Sequence, residues 1–305
     1  MMTDESAGAG IGDHQCFNIR WCKYDRRQAG CGVLLGLVLL LSACAALPVG
    51  KLVPGPEAVR VLADFHEMQH RQRQCPAGID AEVTATFYDL LSSAAINGYL
   101  LTFPPAYLRF EGVNPLGLTE NIFTINGRRY SYLLIRRQVA YTGFLAGSKV
   151  GEYITPRQAA SISSWLLGRL PANIQITAAV RRNNDGGYWL KLAAGDVAGA
   201  AGREGAARIL FSPGRSSGGR SEPARLLAYV MEAGGVHGRL ALAYHYPKIT
   251  EKNVTNCPIP DLVTVRLGGH KVMTLAIRDP YPLVRLPKKQ FKLRIPPNFK
   301  RINFP

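Results

Sequence analysis

Residues 95–135 read AINGYLLTFPPAYLRFEGVNPLGLTENIFTINGRRYSYLLI. Short apolar runs follow one another, broken by Pro104-Pro105, by Asn114-Pro115-Leu116-Gly117 and by Asn126-Gly127-Arg128-Arg129. Asn-Gly tolerates the positive φ that tight turns demand, so the last break signals a hairpin. Ile96, Gly98, Leu100 and Thr102 alternate with Asn97, Tyr99, Leu101 and Phe103. Strict alternation gives one dry face and one wet face. Here both sets contain large apolar residues, so the stretch predicts an antiparallel meander that is covered or filled on both sides.

The rest of the chain sets the bounds. It has 305 residues, 47% of them hydrophobic, enough for one large domain or two small ones. The net charge is +16, which calls for an anionic partner: nucleic acid, a membrane surface or acidic ligands. The N-terminal region decides among these. Arg20, Lys23, Arg26 and Arg27 precede an apolar run from Val33 to Leu41. That run is too short to span a bilayer comfortably but suits a secretory leader. It ends in Leu41-Ser42-Ala43-Cys44, which resembles the lipobox of bacterial lipoproteins.

The resemblance implies that residues 1–43 are a signal peptide, that Cys44 is lipidated and that residues 44–56 form a tether. Ala45 follows the lipidated position; in that class an Asp there favours inner-membrane retention, so Ala implies the periplasmic face of the outer membrane. Four basic and four acidic residues leave together with the leader, so the mature chain keeps its positive charge. Outside the cytoplasm this charge faces anionic head groups rather than nucleic acid. Cys75 and Cys257 are the cysteines that remain beside Cys44. In an oxidising compartment two thiols can form one disulfide, but the sequence does not show whether their Cα atoms lie within bonding distance.

Along residues 57–305 the pattern is helix, strands, helix, strands. Glu57–Gln74 has Val59, Leu62, Phe65 and Met68 at helical spacing. Strands are expected at Ile79–Tyr88, through the meander, and at Val139–Ala146. Thr155-Pro156 opens a second helix with Ile162, Trp165, Leu166 and Leu170 as its apolar stripe, closed by Pro171. Further strands are expected near Ile174–Arg182, Tyr188–Leu192, Arg208–Phe211, Arg225–Glu232, Arg239–Tyr246, Leu262–Leu267 and Lys271–Arg278, with a last short one at Phe291–Ile295. Gly195–Gly205 and Pro213–Pro223 read as irregular insertions, together spanning roughly 195–222. The fold class is therefore α+β, with an antiparallel sheet long enough to curl.

Three segments resemble the LolA/LolB family of lipoprotein carriers and receptors, LolB more closely. Asn114-Pro115-Leu116-Gly117 is similar to its NPLG loop. Trp165-Leu166-Leu167-Gly168-Arg169-Leu170-Pro171 is similar to the close of its mid-chain helix, with one residue inserted. Pro258-Ile259-Pro260 with the following two strands is similar to its final hairpin. The region around 195–222 and the basic tail after Asp279 depart from that pattern. The resemblance implies an unclosed half β-barrel with helices plugging its concave face, an apolar interior that holds acyl chains of lipoproteins or lipids, and a periplasmic carrier as the partner that hands them over. It makes Leu116 the tip of a membrane-insertion loop. Leu100, Leu108, Phe110, Phe123, Tyr130, Tyr132, Leu134 and Trp165 are the candidate cavity residues; each fits an ordinary core equally well, because a core and a lipid cavity share one composition. No cofactor is implied, and the chain is expected to be a monomer.

One motif competes. His66-Glu67-Met68-Gln69-His70 fits H-E-x-x-H, the pattern that binds zinc on a helix with the Glu as base, so a zinc metallopeptidase is the alternative function. A structural lipoprotein with a plain core is another. Charged and polar residues flank the histidines, and Pro76 stands where an extended motif has its third ligand. The expectation is therefore an exposed helix face and no enzyme.

Overall fold

The computed structural model describes residues 50–89, 92–145, 161–171, 174–183, 186–193, 207–217, 220–232, 239–247 and 257–304. In chain order the elements are β1 (Lys51–Leu52), α1 (Gly55–Gln74), β2 (Gly78–Tyr88), β3 (Ser93–Phe103), β4 (Tyr107–Val113), β5 (Thr119–Asn126), β6 (Arg129–Leu134) and β7 (Val139–Phe144). Then come α2 (Ile162–Leu166), β8 (Ile176–Arg182), β9 (Tyr188–Leu192), β10 (Ala207–Ser212), β11 (Arg215–Ser217), β12 (Arg220–Glu222), β13 (Arg225–Glu232) and β14 (Arg239–His245). β15 (Leu262–Leu267), β16 (His270–Leu283), a 3-10 turn (Lys288–Phe291) and β17 (Lys300–Asn303) complete it.

Fifteen of these strands form one sheet, in the order β1-β8-β9-β10-β13-β14-β15-β16-β2-β3-β4-β5-β6-β7-β17. Neighbours are antiparallel except β17, which runs parallel to β7. The sheet is unclosed, with β1 and β17 as its edges. It is also curled. α2 has five residues and is about 7.5 Å long. Its Ser163 hydroxyl donates to the carbonyl of Tyr107 on β4 at 2.7 Å, while its Trp165 ring stacks on Tyr229 of β13 with centroids 3.8 Å apart. β13 and β4 stand six places apart in the sheet, roughly 29 Å if it were flat. So short a helix reaches both only because the sheet wraps around it.

Alternation assigns the concave face. On β2, Ile79, Ala81, Val83 and Ala85 are buried while Asp80 and Glu82 are exposed. Register carries that face to Leu100 on β3, Phe110 on β4, Phe123 on β5, Tyr132 on β6 and Tyr141 on β7. In the other direction it carries it from Leu275 on β16 to Val263 on β15 and Tyr244 on β14, and then along Leu242, Tyr229, Ile209, Leu190 and Val180. α1 lies on this face and buries Val61, Phe65 and Met68, with Phe65 edge-on to Phe211 at 5.6 Å. Val59 and Leu62 were expected in that stripe. Val59 is exposed instead and Val61 takes its place, because the 20-residue helix turns the i, i+4, i+7 set toward the sheet.

The convex face is covered too, by the tail. Phe291, at the end of the 3-10 turn, is buried and packs on the Tyr107 ring at 5.3 Å. Arg109 Nη1 donates to the carbonyl of Gln290 at 3.0 Å, and Lys288 sits over the Tyr107 ring. Leu133 and Ala140, paired in the register, are buried on this side, outside the main core cluster. The strand expected at Phe291–Ile295 is therefore displaced: Phe291 serves as an anchor, and Pro296-Pro297 postpones pairing until Lys300. The irregular region expected at Pro213–Pro223 contains a small hairpin, β11 with β12. Residues 195–205, Thr155-Pro156, the whole leader and Cys44 at the start of the tether lie outside the described residues.

Candidate functional site

The site grows from the place where the ends of α1 and α2 meet. α2 ends at Leu166, and Gly168 adopts φ +63°. The Gly168 N–H donates to the Trp165 carbonyl at 3.0 Å and the Arg169 N–H to the Ser164 carbonyl at 2.9 Å. This pair of bonds is the Schellman arrangement, which needs a residue in the left-handed region and so favours glycine. It reverses the chain and turns Arg169 inward. Arg169 is 7% exposed and donates through Nη1 to the carbonyls of Pro76 at 2.5 Å and Ala77 at 3.3 Å. Burial lowers its pKa. Two glutamines of α1 complete the clamp. Gln72 gives its amide N–H to the Gly168 carbonyl at 3.4 Å and accepts from the Leu170 N–H at 3.1 Å; Gln69 donates to the Ile174 carbonyl at 3.4 Å.

Between these ends and the Pro104-Pro105 turn lies a cleft of about 550 Å³, within the usual range for ligand sites. Trp165, Leu170, Ile174, Leu192 and Tyr229 give it apolar walls, and Gln69, Gln72, Arg73, Ser164 and Arg169 add polar atoms. Trp165 is buried, and its Nε1–H has no hydrogen-bond partner among the described residues.

Of the eight residues proposed from sequence to line a cavity, Trp165 alone lines this cleft. Leu100 and Leu108 are packed into the main core. Phe110, Phe123, Tyr130, Tyr132 and Leu134 share the concave face of β4–β6 and are half-buried. Together with neighbours they form an aromatic ladder: Phe123 to Tyr132 at 6.3 Å, Tyr132 to Tyr141 at 6.3 Å and Tyr141 to Phe304 at 6.1 Å. Partial burial raises the pKa of Tyr130 and Tyr132, so this wall stays neutral.

Leu116 stands at the other end of β4 from the Pro104-Pro105 turn, a strand length of about 23 Å. Its side chain does not fold under the hairpin: it is 82% exposed, and Leu118 beside it is 62% exposed. The loop is nonetheless held. Asn114 Oδ1 accepts from the N–H groups of both Leu116 and Leu118 at 3.0 Å, and the Asn114 carbonyl accepts from Gly117 at 2.9 Å. An Asx turn of this kind replaces the missing ladder bonds, so two leucines are presented to solvent on a fixed backbone.

His66, Glu67 and His70 all lie on the exposed side of α1, and His66 Nδ1 is 3.2 Å from Gln69 Oε1. Among the described residues no three His, Cys, Asp or Glu side chains converge as a metal-binding group. Cys75 and Cys257 are joined in a disulfide with Cα atoms 5.5 Å apart, which ties the end of α1 to the approach of β15. Arg169 and Leu118 were missed from sequence. Arg169 sat inside a segment read for its tryptophan and glycine, and Leu118 follows the loop letters that drew attention; its spacing of two from Leu116 was the available signal.

No family model matches the chain, and no curated protein matches it. Solved structures do. A LolA superfamily protein from Nitrosomonas europaea is 11% identical, with 75% of this chain and 97% of that chain covered and a TM-score of 0.46. A DUF1329 family protein from Desulfovibrio piger is 10% identical, covering 76% and 97%, with a TM-score of 0.49. LprF from Mycobacterium bovis is 11% identical, covering 81% and 99%, with a TM-score of 0.30.

Proposed function

We propose that this protein is a carrier of the LolA/LolB kind: anchored through Cys44 at the periplasmic face of the outer membrane, it takes acyl chains of lipoproteins or lipids onto its concave face and releases them into the bilayer. It works as a monomer, receives its cargo from a periplasmic carrier and performs no covalent chemistry. The observation that carries this reading is the Leu116 tip: an apolar pair, 82% and 62% exposed, on a backbone fixed by Asn114. A fixed, solvent-facing leucine has no folding role, and large exposed apolar groups in a cluster mark contact surfaces. The open sheet, with its half-buried aromatic wall running across β5, β6 and β7, supplies the complementary requirement, a place for an acyl chain that is not fully occupied by core.

Burying one leucine in a bilayer is worth about 1.5–3 kcal/mol, which corresponds to roughly tenfold or more in membrane partition. Leu116→Glu is therefore expected to leave thermal stability and lipid binding unchanged. Transfer of a fluorescent diacyl lipopeptide from the protein to outer-membrane-like vesicles should fall about tenfold or more. Equal transfer by the variant and the parent would remove the insertion role, and failure of the parent to bind the lipopeptide would remove the carrier reading.

A further inference from the structure

Arg169 is a cation in the interior, and among the described residues no carboxylate pairs with it. Its Nη1 is bonded to the carbonyls of Pro76 and Ala77, which satisfy a donor but carry no net charge. Among the described residues that line the cleft, two are arginines and none is acidic. A buried charge is normally neutralised by a partner, since desolvation without one is costly. Trp165, 6% exposed, lines the same cleft, and its buried Nε1–H finds no acceptor among the described residues. Buried N–H groups in folded proteins are almost always paired. Among the described residues, a cation without a carboxylate partner and a tryptophan with an unpartnered N–H thus line one cleft whose remaining walls are largely apolar.

We propose that this cleft takes the anionic head group, a carboxylate or a phosphate, of a ligand whose acyl chain lies along the concave wall, with Arg169 as counter-charge and Trp165 Nε1 as a second donor. The proposal rests on the carrier reading and narrows it to acidic amphiphiles. Neutral chains would fill the apolar surface but leave both donors as they are. The position of the guanidinium is set by the Schellman turn at Gly168, so the cation is in place before any ligand arrives.

Displacement of a fluorescent apolar probe from the delipidated full chain tests this with two matched pairs: palmitate against hexadecanol, and palmitoyl lysophosphatidic acid against monopalmitoylglycerol. At a pH where both acids are ionised, the anion of at least one pair should bind about tenfold or more tighter than its neutral partner. The pair that shows the gap distinguishes carboxylate from phosphate. Arg169→Gln should close the gap while hexadecanol affinity stays the same, which also reports an intact fold. Trp165→Phe, which keeps a ring on Tyr229, should narrow the gap without the loss of charge. Equal affinities within both pairs for the unmodified protein would overturn the proposal and leave the carrier reading standing. No binding of any of the four would overturn both.

Discussion

Gly168 shows how one residue fixes the site. Its φ of +63° costs an L side chain about 1–2 kcal/mol, and a Cβ there would stand 2.4 Å from the Tyr246 hydroxyl oxygen. Tyr246 is buried and cannot swing away into solvent. Gly168→Ala should therefore destabilise the fold by at least about 2 kcal/mol in urea denaturation, and release Arg169 from its carbonyls. Glu57 is a second residue with a local task. At the start of α1 it accepts from the Tyr188 hydroxyl at 2.8 Å and pairs with Arg182, and the hydrogen bond from Arg182 is the main reason its pKa is lowered from the ordinary 4.5. A carboxyl whose folded pKa is depressed stabilises the fold above its unfolded value, and that stabilisation is lost as pH falls through the folded value. Stability measured below pH 4.5 should therefore decline less steeply in Glu57→Gln than in the parent.

Among the elements, the tail is the one whose role differs most from its sequence pattern. Its prolines and basic residues suggested one short strand at Phe291–Ile295, yet Phe291 lies in a 3-10 turn, is 1% exposed and closes the convex side of β4 and β5. Phe291→Ala should cost about 3–5 kcal/mol, read as a fall in the denaturation midpoint. The strands were legible because alternation and turn residues are local: Tyr188–Leu192, Arg225–Glu232 and Leu262–Leu267 match their expected limits, and Gly127 takes φ +67° in the turn that Asn-Gly announced. The 3-10 anchor and the parallel β17 were not legible, since pairing with a strand more than 150 residues away leaves no local pattern in either partner.

For the whole molecule, the bond between Cys75 and Cys257 spans 182 residues and joins the helix layer to the sheet. By loop-closure entropy, a crosslink over so long a span stabilises by up to about 5 kcal/mol. Cys75→Ser, or reduction, should lower stability by roughly 2–5 kcal/mol in equilibrium unfolding, with the loss matched between the two treatments. By itself the sequence determined the α+β class, the antiparallel meander, the two-sided apolar character of the sheet and the loop that carries Leu116, because each depends on spacing between near neighbours. The tertiary structure alone decided which apolar residues became core and which stayed as a concave wall. It packed Leu100 and Leu108 into the main core and left Phe123 and Tyr132 half-buried. It also placed Arg169 and Trp165 in one cleft, four residues apart in sequence but joined there by a helix end, a distant strand and a returning turn. Hydrophobicity says that a side chain leaves water; only the curl of the sheet and the reach of the helices say what it meets there.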